Sequence, residues 1–390
     1  MNTQTSLFRQ NPTPPAHMTP DTPSATRPAL ICFSHLRWDF VHQRPQHLLI
    51  MAARDHSVCY IEEPITAPGE AHFRMRVQAS GVTVLTPVFD AACDPVHEQQ
   101  MLVHRLQQSL VATPILHWYY TPMALAFTRD LPCDLCVYDC MDELSAFRFA
   151  PAELVSLESE LLARADLVFT GGRSLFAAKR RLHADVHCFP SSVDIAHFAR
   201  ARLKLDEPID QDGIPHPRIG YVGVIDERID LDLIATAAAE LPLVQFVMIG
   251  PTAKIKTDDL PHAPNIHWLG RKTYDELPAY LANWQAAWMP FALNEATRFI
   301  SPTKTPEYLA AGLRVVSTAV ADVVDAYGNA GLVSIADPET IVPTLKTVLG
   351  APPEGWLLAV DQQLALMSWA GTWDAMHNLI NARLAALQEG

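Results

Sequence analysis

The chain has 390 residues, 49% of them hydrophobic, and a formal net charge of −14. Length and apolar content suit two domains of about 100–200 residues, each with its own core. The acidic balance argues against nucleic acid as a partner, since phosphate backbones need a basic face, and no run of about 18 apolar residues offers a membrane span.

Residues 1–27 are rich in Pro and Thr and lack the apolar stretch of a signal peptide, so a disordered tail is expected. Seven cysteines, an odd number, fit a reducing, cytoplasmic compartment. From Ala29 the pattern is strand, turn, helix, repeated. Strands are predicted at Ala29–Ser34, Ser57–Pro64, Val82–Val88, Pro114–Tyr120, Leu135–Asp142 and Asp166–Gly172, with a last short one at VHCFPSSVD. Helices are predicted from Pro45 to Ala53, His97 to Leu110, Met123 to Thr128 and Pro151 to Ala163, and over SLFAAKRRL. The KRR run at Lys179–Arg181 reads as a solvated helix face. Cys133, Cys136 and Cys140 have partial ligand spacing, but the last two lie on one strand and no second CxxC follows, so core packing is expected rather than zinc.

Leu203–Pro217 holds three prolines, a glycine and four acids without a period, and reads as a linker. Alternation then restarts, with strands at Arg218–Asp226, Val244–Gly250, Asn265–Gly270, Ala286–Phe291, Val315–Thr318 and Gly331–Ala336. Helices are expected over Leu231–Glu240, Tyr274–Asn283 and Pro338–Leu349, and from Trp356 onward. The expected fold is α/β, two Rossmann-like domains with parallel sheets. Residues 28–202 form the first domain, 203–217 the linker and 218–365 the second; 366–390 form a terminal helix crossing back to the first. Such sheets bind ligands beyond the carboxyl ends of their strands, so the two sets of loops would face one central cleft.

The segment SPTKTPEYLAAGLRVVST, Ser301 to Thr318, puts Lys304 and Glu307 three residues apart at a helix start. A lysine beside free helical N–H groups suits a phosphate, and a carboxylate one turn on can accept two bonds from a ribose diol. Ser301 and Thr303 flank them. Gly223 lets backbone approach a ligand, and Gly250-Pro251 is either a seat for a base or a simple turn. Arg228 lies in reach of the same crevice, or is an ordinary surface arginine; the residues alone leave both readings open.

The second half resembles the nucleotide-binding domain of GT-B fold glycosyltransferases, family 4 or "group 1". TPEYLAAGLRVVST is similar to that family's ribose-binding helix and following strand, and SWAGTWDAM to its closing segment. ARADLVFTGGRSL and FPSSVDIAHF look like first-domain elements, and SHLRWDFVHQRPQHLL with YDCMDELSAF resembles a TuaH-like subgroup of bacterial polysaccharide enzymes. The resemblance implies that Glu307 holds the donor ribose, that Lys304 and Arg228 hold the diphosphate, and that a nucleotide sugar, UDP- or GDP-linked, donates to a glycan or lipid-linked acceptor. The family's E-x7-E motif is broken, because Phe299 stands eight residues before Glu307; Glu295 is the nearest upstream acid and the candidate to replace it.

The first half would then hold the acceptor, with Arg37, Trp38 and Arg44 as contacts; Trp38 reads equally as a sugar-stacking face or a core residue. If transfer inverts, one general base is needed, and Asp142, His35 and Asp39 are the candidates in that order. No DxD pair ends a strand, so no metal or other cofactor is expected, the cations neutralising the leaving group instead. Phe73–Arg76 and the KRR run are the best candidates for peripheral contact with the inner face of a membrane. Competing readings are a sugar-nucleotide epimerase or hydrolase on this fold, and a non-catalytic nucleotide-sugar-binding subunit. The absence of GxGxxG after a strand disfavours a dehydrogenase.

Overall fold

The computed structural model describes residues 27–110 and 114–389, so the expected tail, apart from Arg27, lies outside the described residues. Nine strands form the first sheet: β1 (Ala29–Phe33), β2 (Ser57–Ile61), β3 (Ile65–Thr66), β4 (His72–Val77), β5 (Thr83–Phe89), β6 (Ile115–Tyr119), β7 (Leu135–Cys140), β8 (Leu167–Thr170) and β9 (Val186–Cys188). Their spatial order is β3-β5-β2-β1-β6-β7-β8-β9, with β4 antiparallel on β5 and the other pairings parallel. The second sheet, all parallel, runs β12-β11-β10-β13-β14-β15. Its strands are β10 (Arg218–Val222), β11 (Gln245–Ile249), β12 (Ile266–Gly270), β13 (Ala286–Met289), β14 (Arg314–Ser317) and β15 (Val333–Ile335). β1, β7, β10 and β11 are buried at every position, which is why they read as continuous apolar runs and not as alternating ones. In each sheet the strand order reverses, at β1/β6 and at β10/β13, and a crevice opens at each reversal.

The chain's last helix, Trp369–Glu389, packs on helix Arg44–Ala52 of the first domain. Trp369, Trp373, Met376, Ile380 and Leu384 recur every three or four residues and complete one buried cluster with Leu48, Leu49 and Ala52.

Several expectations need correction. Leu203–Pro217 is not loose: it contains the short helix Ile209–Asp212. Gln211, fully buried, donates to the Tyr280 carbonyl (3.2 Å) and accepts from Trp284 Nε1 (2.8 Å). Glu207 pairs with the buried Arg218 guanidinium, so this segment is sealed onto the second domain. Lys179 is not solvated; it is 3% exposed and lies 2.7 Å from Glu143 and 2.8 Å from Glu158. Phe73–Arg76 belongs to the edge strand β4, which the sequence reading left unassigned. Cys136 and Cys140 are buried free thiols, and among the described residues no group of three or more His, Cys, Asp or Glu side chains could hold a metal ion.

Candidate active site between the two domains

The second domain builds its floor from two glycines. Gly250 ends β11 with φ +148°, and a Cβ there would meet the Gly223 carbonyl oxygen at 1.8 Å. The Gly223 N–H donates to the Ile249 carbonyl at 2.9 Å, so the loops after β10 and β11 press together backbone to backbone. Above them, helix Lys304–Ala310 is buried along its length beyond Lys304. Its Tyr308 hydroxyl accepts from Val222 N–H (2.6 Å) and donates to the Val222 carbonyl (3.2 Å), which fixes the helix start over the end of β10.

Two cavities meet at this point. One of about 590 Å³ lies between the domains, with Gly223, Gly250, Tyr274 and Lys304 on one side and Trp38 and His42 on the other. A smaller one of about 120 Å³ is lined by Arg228, Ser301, Thr303 and Lys304 of the second domain and by Asp142 of the first. Gly223, His42 and Lys304 line both.

Two cations of the small cavity, Lys304 and Arg228, are paired with carboxylates close in sequence. Lys304 Nζ lies 2.6 Å from Glu307, itself 6% exposed. Arg228 forks onto Asp226, with contacts of 2.7–3.1 Å. Burial raises the Glu307 carboxyl above its usual range, against the opposing charge of Lys304. Asp142 follows β7. Burial, with the charge of Asp226, pushes its carboxyl up to about 6, while Arg228, Arg44 and Lys254 oppose the rise. Its loop also crosses the cleft. Arg148 N–H donates to Glu227 Oε1 (3.1 Å), and the Phe147 ring lies under Arg228 at 5.3 Å and Lys254 at 4.7 Å.

The other predicted residues are placed differently. Arg44 is 1% exposed and forks onto the fully buried Asp139 at 2.8–3.1 Å, with a bond to the Phe189 carbonyl at 2.7 Å. These bonds tie it into the first domain, while its side chain also lines the small cavity. Arg37 is tied to Glu62 (3.3 Å) and the Pro64 carbonyl (3.0 Å). Trp38 is 8% exposed and packs edge-on to Tyr60, so its core role prevails, with only an edge toward the cavity. Asp39 is an exposed partner of Arg76 and lines the larger cavity. His35 lines a separate cavity of about 240 Å³ at the end of β1, with Glu63, Met123 and Phe127. Its Nδ1 is buried without a partner, and burial lowers its pKa to about 4. Glu295 is not a replacement for the broken motif: its side chain is 78% exposed on the turn Glu295–Thr297, near Arg298. Phe299 packs instead against the first-domain cluster containing Tyr138, Leu157 and Leu161.

Sequence reasoning missed a column of rings across the cleft. Trp369 stacks on His47 (4.5 Å), His47 meets His42 edge-on (4.3 Å), His42 lies 4.4 Å from Tyr274, and Tyr274 stacks on His197 (4.2 Å). Burial holds His42 at about 4 and His47 well below its ordinary value, with Lys304 adding to both effects, so these two rings are neutral near pH 7. Only the crowding of His and Trp around these positions signals it in sequence.

Comparisons with known proteins agree with this geometry. Residues 216–350 match the family described as "Glycosyl transferases group 1". The Bacillus subtilis (strain 168) protein TuaH, named as a teichuronic acid biosynthesis glycosyltransferase, is 27% identical over 219 residues, 52% of this chain. That match spans about half, 54%, of the curated relative's length. Among solved structures, sucrose-phosphate synthase from Thermosynechococcus elongatus superposes with a TM-score of 0.68 at 15% identity, covering 92% of this chain and 100% of that one. HepE of Anabaena, solved in complex with UDP and glucose, gives 0.64 at 13% identity, covering 90% and 99%. The chain therefore has the GT-B fold of two Rossmann-like domains, and residues 216–350, most of its second domain, match the group 1 glycosyl transferases.

Proposed function

We propose that this protein transfers a sugar from a nucleoside-diphosphate sugar, UDP- or GDP-linked, to a hydroxyl of a glycan or lipid-linked acceptor in bacterial polysaccharide synthesis. The observation that carries the reading is the small cavity, where Lys304 and Arg228 face a first-domain carboxylate, Asp142, beside the backbone floor of Gly223. The nucleoside extends into the larger cavity past Gly250 and Tyr274, and Glu307, reached by displacing its partner Lys304, takes the ribose hydroxyls. Ser301 and Thr303 add hydroxyl donors to the diphosphate. In the transfer, the bond from the anomeric carbon to the diphosphate oxygen breaks and a bond to the acceptor oxygen forms. The acceptor proton passes to Asp142, and the nucleoside diphosphate leaves against Lys304 and Arg228.

The reading uses no metal: the two cations at the diphosphate supply the neutralising charge. The acceptor approaches from the first domain. No helix among the described residues is long and apolar enough to cross a membrane, and a lipid-linked acceptor would be met at the inner membrane face by a cytoplasmic protein. A thermal-shift panel of UDP, GDP, dTDP and CMP with their sugars tests the reading, because only a bound ligand raises native-state stability by mass action. A single base should stand out, and its sugar nucleotide should release the free nucleoside diphosphate with an acceptor. No shift with any nucleotide would sink the proposal.

A further inference from the structure

Helix Arg173–Lys179 of the first domain begins at Gly172, which has no side chain to cap it. Its first N–H groups are satisfied from the other domain. Arg173 N–H donates to Asp322 Oδ2 at 2.8 Å and Ser174 N–H to Asp322 Oδ1 at 3.0 Å, across 149 and 148 residues of sequence. Asp322 is 5% exposed. Glycine is required at the contact: a Cβ on Gly172 would lie 2.2 Å from Asp322 Oδ2 and 2.8 Å from Ser301 Cβ. Ser301 belongs to the donor loop. At the other end of the same helix, Lys179 holds Glu143 at 2.7 Å, the residue after Asp142. One short helix thus runs from a second-domain carboxylate to the loop that carries the acceptor-side carboxylate.

We propose that Asp322 is a positioning residue, an interdomain latch that seats helix Arg173–Lys179 against the donor loop and thereby sets Asp142 opposite Lys304. A carboxylate bonded to two helical N–H groups is a strong cap, and it forms only with the domains in this arrangement. The domain-seating claim stands by itself; the link to turnover rests on the transfer reading.

D322A removes the latch from one side, and G172A wedges it from the other, so a folding failure of one leaves the other as the test. Small-angle scattering should show a larger radius of gyration for each, and for the double variant no larger than for either alone, since both break one contact. D322N should fall between D322A and wild type, because its amide oxygen can accept from one of the two N–H groups while its amide nitrogen can accept from neither. UDP affinity, measured by calorimetry, should stay within about 2-fold, while turnover of the donor selected by the nucleotide panel falls about 10-fold or more, the cost of a misplaced reacting group. An unchanged radius in both single variants overturns the latch, as does an additive double variant. UDP affinity falling in step with turnover also overturns it, by showing a lesion in the donor site. Failure of K304A to weaken UDP would instead remove the transfer reading and leave the scattering result intact.

Discussion

Lys304 and Glu307 satisfy each other across one helical turn, Nζ 2.6 Å from a carboxylate oxygen, with side chains 13% and 7% exposed. A diphosphate and a ribose arriving together exchange this internal pair for two external ones. The partners should therefore separate by ligand. K304A should weaken UDP by about 10-fold or more, the scale of a lost charge-assisted hydrogen bond, yet leave uridine little changed. E307A should weaken both. K304A should also lower the melting temperature, because it strands a buried carboxylate, whereas E307Q keeps an acceptor for Lys304 and should not. Calorimetry with UDP and uridine, beside thermal melts, separates these outcomes.

Asp142 serves as a base only when ionised, and its carboxyl sits at about 6. The rate should fall as pH drops through about 6, far above the usual aspartate range. D142N should abolish that limb together with most of the activity. Arg228 holds the value down, so R228A should move the limb upward. For stability the sign is opposite to that of a paired carboxylate. A raised folded-state pKa penalises folding above pH 6, and the penalty is relieved as pH falls toward the ordinary value. Urea midpoints between pH 7 and 5 should show no loss traceable to this group, by comparison with D142N.

Gly250 and Gly270 both have positive φ, +148° and +66°, but only Gly250 is crowded. G250A must displace the Gly223 backbone, and should cost stability well beyond the about 1–2 kcal/mol of a left-handed non-glycine residue while abolishing UDP binding. G270A meets nothing within 4 Å and should show only that smaller cost. Equal effects of the two substitutions would contradict the backbone floor.

Arg44 is a structural ion pair on this geometry. R44A leaves Asp139 buried and unpaired, and should destabilise the protein by about 3–5 kcal/mol. Lysine cannot reproduce the fork and should rescue little. The double replacement R44M/D139L should be far less costly than R44A alone. Acceptor binding as the main role of Arg44 predicts the reverse, a kinetic defect with normal stability.

The sheets were legible because their strands are buried on both faces, and helix Lys304–Ala310 because proline, lysine and small residues mark its start and packing. Edge strand β4 was not: HFRMRV carries two arginines and one buried-side phenylalanine, too weak an alternation to mark a strand. Lys179 was misread, and the ion pair of Arg44 went unseen, for one reason. Each meets its partner far along the chain, Asp139 lying 95 residues from Arg44, and periodicity carries no such information. The same holds for Phe299. Its place in a broken motif was visible, but its contact with the first-domain cluster was not. Asp322 was silent in sequence, one of two aspartates in an alanine- and valine-rich stretch.

The helix Trp369–Glu389 has a consequence for biosynthesis. Its tryptophans, Met376 and Ile380 belong to the same cluster as Leu30 and Leu116, so the first domain lacks part of its core until that helix has been made. The second domain, continuous in sequence, has all its strands and its own cluster before that helix emerges. The usual order of vectorial folding, first domain first, is inverted here, and the nascent first domain must wait with an apolar groove along Leu48, Leu49 and Ala52 uncovered.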